Sequence, residues 1–214
     1  MKVKTLALSA VLAVSALAYA DDAKMKPEAG DKMKPGTAKL TPAEIKILAH
    51  QHMVNMMEVE MGMHAQKTAG AQVVKDYAKM LVADHQKADK DVMALAKKKG
   101  VNKMAKEPMT PEEKQVHEQS MAAMAKLKKL KGAAMDRMFL QLMVTDHARE
   151  LANLDTSMAQ VQDADLKMLL EQVRPVLQKH EDMARELQTM AEQTSSLESD
   201  MQKDVNKDKS KNQP

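Results

Sequence analysis

The sequence predicts an all-α fold: a four-helix bundle with a long helical crossover between its second and third helices. Three observations carry that expectation. Every segment from residue 42 to 194 has apolar residues at steps of three and four, and none alternates with the period of a strand. Thr41-Pro42-Ala43-Glu44 and Thr110-Pro111-Glu112-Glu113 are helix starts, each with an N-cap threonine, a proline at the first position and a glutamate at the third. The roughly 30 residues between the second and third bundle helices include a helix. That is enough chain to return from one bundle end to the other, which makes those two helices parallel. One-crossover bundles form the ferritin-like class.

The elements follow in order. Residues 1–20 read as an export signal: a basic start at Lys2 and Lys4, an apolar run from Leu6 to Leu17, and the small-x-small pattern Ala18-Tyr19-Ala20 before Asp21. The run is too short to span a bilayer, and no other segment is long and apolar enough to do so. Residues 21–40 repeat Lys-Met-Lys-Pro at 24–27 and 32–35 without apolar periodicity and are expected to be a disordered leader. The bundle then occupies 41–194. Its first helix covers about 42–68 before Gly70, and its second about 71–99 before Gly100. An accessory helix covers about 111–130 before Gly132. The third bundle helix covers about 133–160, and the fourth about 164–194, with Pro175 expected to bend it. The polar tail 195–214 is expected to fray.

Composition narrows the function. Without the signal the chain has 31 basic and 30 acidic residues, and a balanced surface argues against nucleic acid as a partner. Tyr19, Tyr77 and Phe139 are the only aromatic residues, so no stacking platform for bases or sugars exists. Cysteine is absent, which removes both disulfides and a lipoprotein attachment site. A soluble exported bacterial protein is expected, periplasmic or associated with the outer envelope. A second copy of the chain or another envelope protein is the partner class left open. No nucleophile–base pair, phosphate-binding glycine loop or cofactor motif is present, so an enzyme has the least support.

Four ionisable residues occupy apolar helix faces. His85 shares a stripe with Val74, Ala78, Leu81, Ala88, Val92 and Leu95, and His180 with Val173, Leu177, Met183 and Leu187. His147 aligns with Met143, Leu151, Leu154 and Met158, and Glu58 with Ile47, Val54, Met61 and Ala65. In a one-crossover bundle His85 and His147 fall at one depth, each about 14 residues into parallel helices, and Glu58 and His180 are each about 16 residues into theirs. Imidazoles and a carboxylate in one buried layer are the donors that suit zinc, iron or manganese. Asp84 and Asp146 point about 100° away from the histidines that follow them, so they suit acceptors for a neighbouring helix's imidazole N–H, or partners for surface lysines. Glu150, three residues after His147, adds a carboxylate to the same face.

Methionine, at 22 residues, supplies a rival. Met53, Met57 and Met61 recur at steps of four, with Met56, Met63, His50, His52 and His64 nearby, and thioethers with imidazoles suit Cu(I). Methionine as a flexible core filler explains the same spacing without copper.

The run Glu58-Val59-Glu60-Met61-Gly62-Met63-His64-Ala65, the steps Met80-Leu81-Val82-Ala83-Asp84-His85 and Asp146-His147, the segment 132–139 and the run Pro175-Val176-Leu177-Gln178-Lys179-His180 resemble the DUF4142 family. The resemblance covers roughly residues 42–190. It implies an exported bacterial protein, often described as an outer-membrane protein, with a ferritin-like fold and no defined chemistry. The chain departs from the ferritin-like di-iron pattern of Glu-x-x-His, because Val82 and Leu177 stand three residues before His85 and His180. A dinuclear oxidase site would lack its bridging carboxylates. The leading expectation is therefore a structural or stress-related envelope protein with a His/Glu layer in its core. The alternatives are a mononuclear metal site of Glu58, His85, His147 and His180, with Asp84, Asp146 and Glu150 behind them, and copper handling through methionine.

Overall fold

A computed structural model describes residues 39–103 and 110–211. The signal and leader lie outside the described residues except Lys39 and Leu40. Leu40 is already buried, so order begins within the expected leader. The described chain forms α1 (Pro42–Thr68), α2 (Gln72–Lys98), α3 (Pro111–Leu127), α4 (Gly132–Gln160) and α5 (Ala164–Lys211), with no strand among the described residues. This is the ferritin-like four-helix bundle, with α3 as the crossover. None of the described helices is long and apolar enough to cross a membrane. α5 runs past residue 194 to Lys211, where fraying was expected. After Pro175 its sequence has neither glycine nor proline as far as Lys211, and its Leu, Glu, Gln, Met and Lys are good helix formers.

Both Thr-Pro-x-Glu starts form complete capping boxes, at Thr41 with Glu44 and at Thr110 with Glu113. Leu40 just before the first box belongs to one apolar cluster and Ile45 just after the box packs against it, as a hydrophobic staple requires.

Two buried carboxylates fix how the hairpins meet. α2 has no side-chain cap of its own. Asp136 of α4 supplies one, accepting the N–H of Gly70 at 2.7 Å and of Ala71 at 2.9 Å. The α1–α2 turn therefore sits on the first turn of α4. A Cβ on Gly70 would lie 2.9 Å from Gly132 Cα, and Gly132 itself has φ +61°, so both glycines are required there. At the other bundle end, Glu44 of α1 accepts the N–H of Gln162 and Asp163 ahead of α5, at 3.0 and 2.8 Å. Burial works to raise the Glu44 pKa, but the backbone donors of Thr41, Asp163 and Gln162 outweigh it and hold the carboxyl below its ordinary value. Buried Lys99, at the end of α2, adds ion pairs to Asp163 and Asp165 at 2.5 and 2.7 Å. With the start of α2 at one end and its finish at the other, α2 and α4 run parallel, as the crossover demands.

The core is split. One cluster holds Met61, Tyr77, Leu81, Leu127, Phe139 and Met143, and the other holds Leu48, Val92, Leu95, Leu151, Leu154 and Leu170. Between them on each helix stand buried polar residues: Gln51, Asn55 and Glu58 on α1, His85 on α2, His147 and Glu150 on α4, and His180 on α5. The face assigned to α1 from sequence is rotated in the fold. Ile47 and Val54 are only half-buried, and Leu48, Gln51, Asn55 and Gly62 face inward. The cause is close helix contact, since a Cβ on Gly62 would lie 2.7 Å from Val82 Cγ2 and 3.2 Å from the Ala78 carbonyl.

Asp136→Ala removes two charge-assisted bonds and leaves two buried N–H groups bare, so it should cost about 2–4 kcal/mol in urea unfolding. A loss below about 0.5 kcal/mol would show that the turn holds without its trans cap.

Candidate metal centre

The three histidines expected in one layer meet in the middle of the bundle. Their ring centroids are 5.2 Å apart for His85–His180 and His147–His180, and 5.7 Å apart for His85–His147. All three rings are buried, and one ring nitrogen from each lies within 4.8 Å of those offered by the other two. They come from α2, α4 and α5, so no two share a helix.

Partners on the far side of each ring decide which nitrogens keep lone pairs. His147 Nδ1 donates to the Met143 carbonyl at 2.9 Å, which can only accept. His180 Nε2 donates to the Asp84 carboxylate at 3.0 Å, so Asp84 fills the outer role its sequence position suggested. His85 Nδ1 donates to Asn55 Oδ1 at 2.9 Å. In the neutral rings this leaves His147 Nε2 and His180 Nδ1 without protons, yet they face each other across 3.2 Å. His85 Nε2 is buried with no partner. Two opposed lone pairs repel unless a proton or a metal ion lies between them. Tetrahedral ligands about 2.0–2.1 Å from a zinc ion stand about 3.3 Å apart, close to the 3.2 Å between His147 Nε2 and His180 Nδ1, while the set of three nitrogens spans up to 4.8 Å. Tyr77 of α2 steadies α5 by donating its hydroxyl to the His180 carbonyl at 2.9 Å.

Electrostatics keep the rings neutral. Burial first, and then the neighbouring His180, push the His147 pKa down to about 3 against the opposing bond to the Met143 carbonyl. Burial, then His147 and His180, hold His85 well below its ordinary value. Burial lowers His180 as well, against the pull of Asp84. Rings kept unprotonated at neutral pH are ready to ligate without releasing a proton.

The other expected members stand apart from the trio. Glu58 is buried, but at this depth α1 presents Asn55, one turn earlier, and Glu58 Oε2 has no hydrogen-bond partner. The expected match in depth misses by one helical turn, which is within the reach of helix tilt and of the rotated α1 face. Burial, with Asp146 and Glu150 nearby, raises the Glu58 pKa well above the usual carboxylate value despite Arg149. Asp146 bridges to Arg149 at 2.8 Å rather than to an imidazole. Glu150 pairs with His50 Nε2 at 2.7 Å. Burial opposes a charge on His50, but that pairing outweighs it and raises the pKa. His52 is taken by Asp89 at 2.6 Å on the α2 side. Sequence reasoning missed Asn55, Tyr77 and the Met143 carbonyl. A polar Asn55 one turn before Glu58 was a usable signal, whereas a backbone carbonyl leaves none.

A cleft of about 90 Å³ opens beside His85, walled by Val54, Asn55, Asp84, Glu150 and Leu177 among others, with room for several waters.

The sequence matches the family profile of DUF4142, a domain of unknown function, over residues 29–187. The chain belongs to the DUF4142 family. No curated protein matches it. Among solved structures, this DUF4142 chain is similar to the DUF305 fragment from Deinococcus radiodurans. The TM-score is 0.60 and the identity 18%, covering 71% of this chain and 99% of that one. At that identity the likeness concerns the fold alone.

Two stability measurements check the electrostatics. Metal-free protein should lose stability as pH falls below about 6.5, because the unfolded chain then takes up protons on histidines that the fold keeps neutral. For His147 the loss should level off near pH 3, and His147→Gln should make the decline shallower. An identical slope in the variant would mean that the ring is not desolvated. Glu58 has the opposite sign: its raised pKa means that stability is lost as pH rises through the folded value. Metal-free Glu58→Gln should therefore melt higher than wild type at pH 8, and a lower melting temperature would refute the buried, repelled carboxylate.

Proposed function

We propose that this protein is an exported metal-binding bundle that holds one divalent transition ion on His85, His147 and His180. The observation that carries the proposal is the 3.2 Å approach of His147 Nε2 and His180 Nδ1, both stripped of protons by their outer partners. Three neutral nitrogens with an open position suit zinc, or iron or manganese, and exclude hard oxygen-seeking ions such as magnesium. The cleft beside His85 supports access to the open position. Asp84, Asn55 and Met143 would orient the ligand rings, while Glu58, Asp146 and Glu150 would act at longer range. The basic start, apolar run and Ala-x-Ala pattern of residues 1–20 support export to the periplasm or outer envelope.

The competing reading is a hydrogen-bonded structural layer with no ion. It has one favourable observation, that each ring already has one satisfied nitrogen.

Titration of chelator-treated protein with Zn(II) separates the two. The metal reading expects one equivalent to bind and, at a hundredfold excess over Kd, to stabilise the fold by about 2.7 kcal/mol. His85→Ala and His147→Ala should lose that gain while circular dichroism still reports a helical bundle. An unchanged melting temperature with zinc, iron(II) and manganese(II) would leave the structural layer as the function.

A further inference from the structure

The crossover helix α3 closes a second, smaller cavity against α1 and α4, of about 30 Å³, enough for one or two water-sized occupants. Its walls include Met53, Met57 and Glu58 of α1, His117 of α3, and Asp146 and Glu150 of α4. Three of the buried polar atoms on these walls have no hydrogen-bond partner: Glu58 Oε2, His117 Nδ1 and Arg149 Nε. Glu58 is only 4% exposed, so its oxygen cannot turn to bulk water. The nearby donors turn to other carboxylates: Arg149 Nη2 reaches Asp146 at 2.8 Å, its Nε stands 3.8 Å from Glu150, and His50 reaches Glu150 at 2.7 Å. Met53 and Met57, one helical turn apart, bring two thioethers to the same space. Met61 also lines it but is packed in the apolar core.

We propose that this cavity is a second metal site, separate from the three-histidine centre, and that it takes Cu(I). The Met53 and Met57 sulfurs, His117 Nδ1 and the Glu58 carboxylate would hold the ion. Its charge answers the unpaired carboxylate, and its softness answers the thioethers, which zinc, manganese and magnesium do not seek. The site joins the crossover to the bundle, since His117 is α3's contribution. It draws together methionines that sequence spacing placed on one stripe and a histidine about 60 residues away that spacing could not place.

The test titrates Cu(I) without oxygen into the full chain, against a competing Cu(I) chelator, after the three-histidine centre has been filled with Zn(II). Wild type should take up one tightly held equivalent. Met53→Leu/Met57→Leu, a nearly volume-conserving pair, should lose it with zinc uptake and melting temperature unchanged. His117→Gln should weaken binding by at least about tenfold. Equal Cu(I) uptake in wild type and the leucine variant would overturn the proposal. So would wild-type affinity no better than that of a methionine-free helical bundle, which would assign the cavity to a bridging water. Cu(I) uptake that survives while Zn(II) fails to bind would remove the first centre and leave this one standing.

Discussion

Three imidazoles held in the dry middle of the bundle, each with its outer nitrogen committed to an acceptor, set the terms for everything around them. Burial works against their protonation, and the acceptors Asn55 Oδ1, Met143 C=O and Asp84 disfavour the neutral tautomers that would let the rings bond to one another. The inward lone pairs are then a property of the fold rather than of any one residue. A single ring so placed would be an ordinary core histidine; three at 5.2–5.7 Å concentrate donor capacity that nothing else nearby can use.

That layer has a structural cost, and the architecture shows how the cost is met. It divides the apolar core into two clusters, so neither half can rely on one continuous hydrophobic interior. The bundle ends compensate with polar clamps that need no apolar area. Asp136 caps α2 from α4, Glu44 caps the approach to α5 from α1, and Lys99 ties the end of α2 to Asp163 and Asp165. Each clamp joins one hairpin to the other, which holds the middle layer in register. The close passage of Gly62 against Val82 and Ala78 does the same for α1 and α2.

The carboxylates divide the interior by chemistry. Asp84 serves the three-histidine centre from outside it, while Glu58, Asp146 and Glu150 gather on the α1–α4 side under the crossover. Glu150 lines both the cleft beside His85 and the second small cavity that α3 covers, whereas Glu58 and Asp146 line only the second. A di-iron arrangement, which needs carboxylates bridging between two ions, is thus opposed by geometry as well as by the absence of Glu-x-x-His.

What the sequence determined by itself was whatever depends on neighbours within a turn or two. Capping boxes set the starts of α1 and α3, glycines marked the turns at 70, 100 and 132, and periodicity placed His85, His147 and His180 on buried faces. The length of the crossover fixed the parallel pairing of α2 and α4, because covalent reach limits which ends can meet. What only the tertiary structure decided was azimuth and depth to within a turn. Local pattern could not show that α1 turns Asn55 rather than Glu58 toward the rings, that Glu150 pairs with His50, or that His117 reaches Glu58's cavity. Those outcomes follow from how closely helices approach and tilt, and contacts between residues far apart along the chain set them.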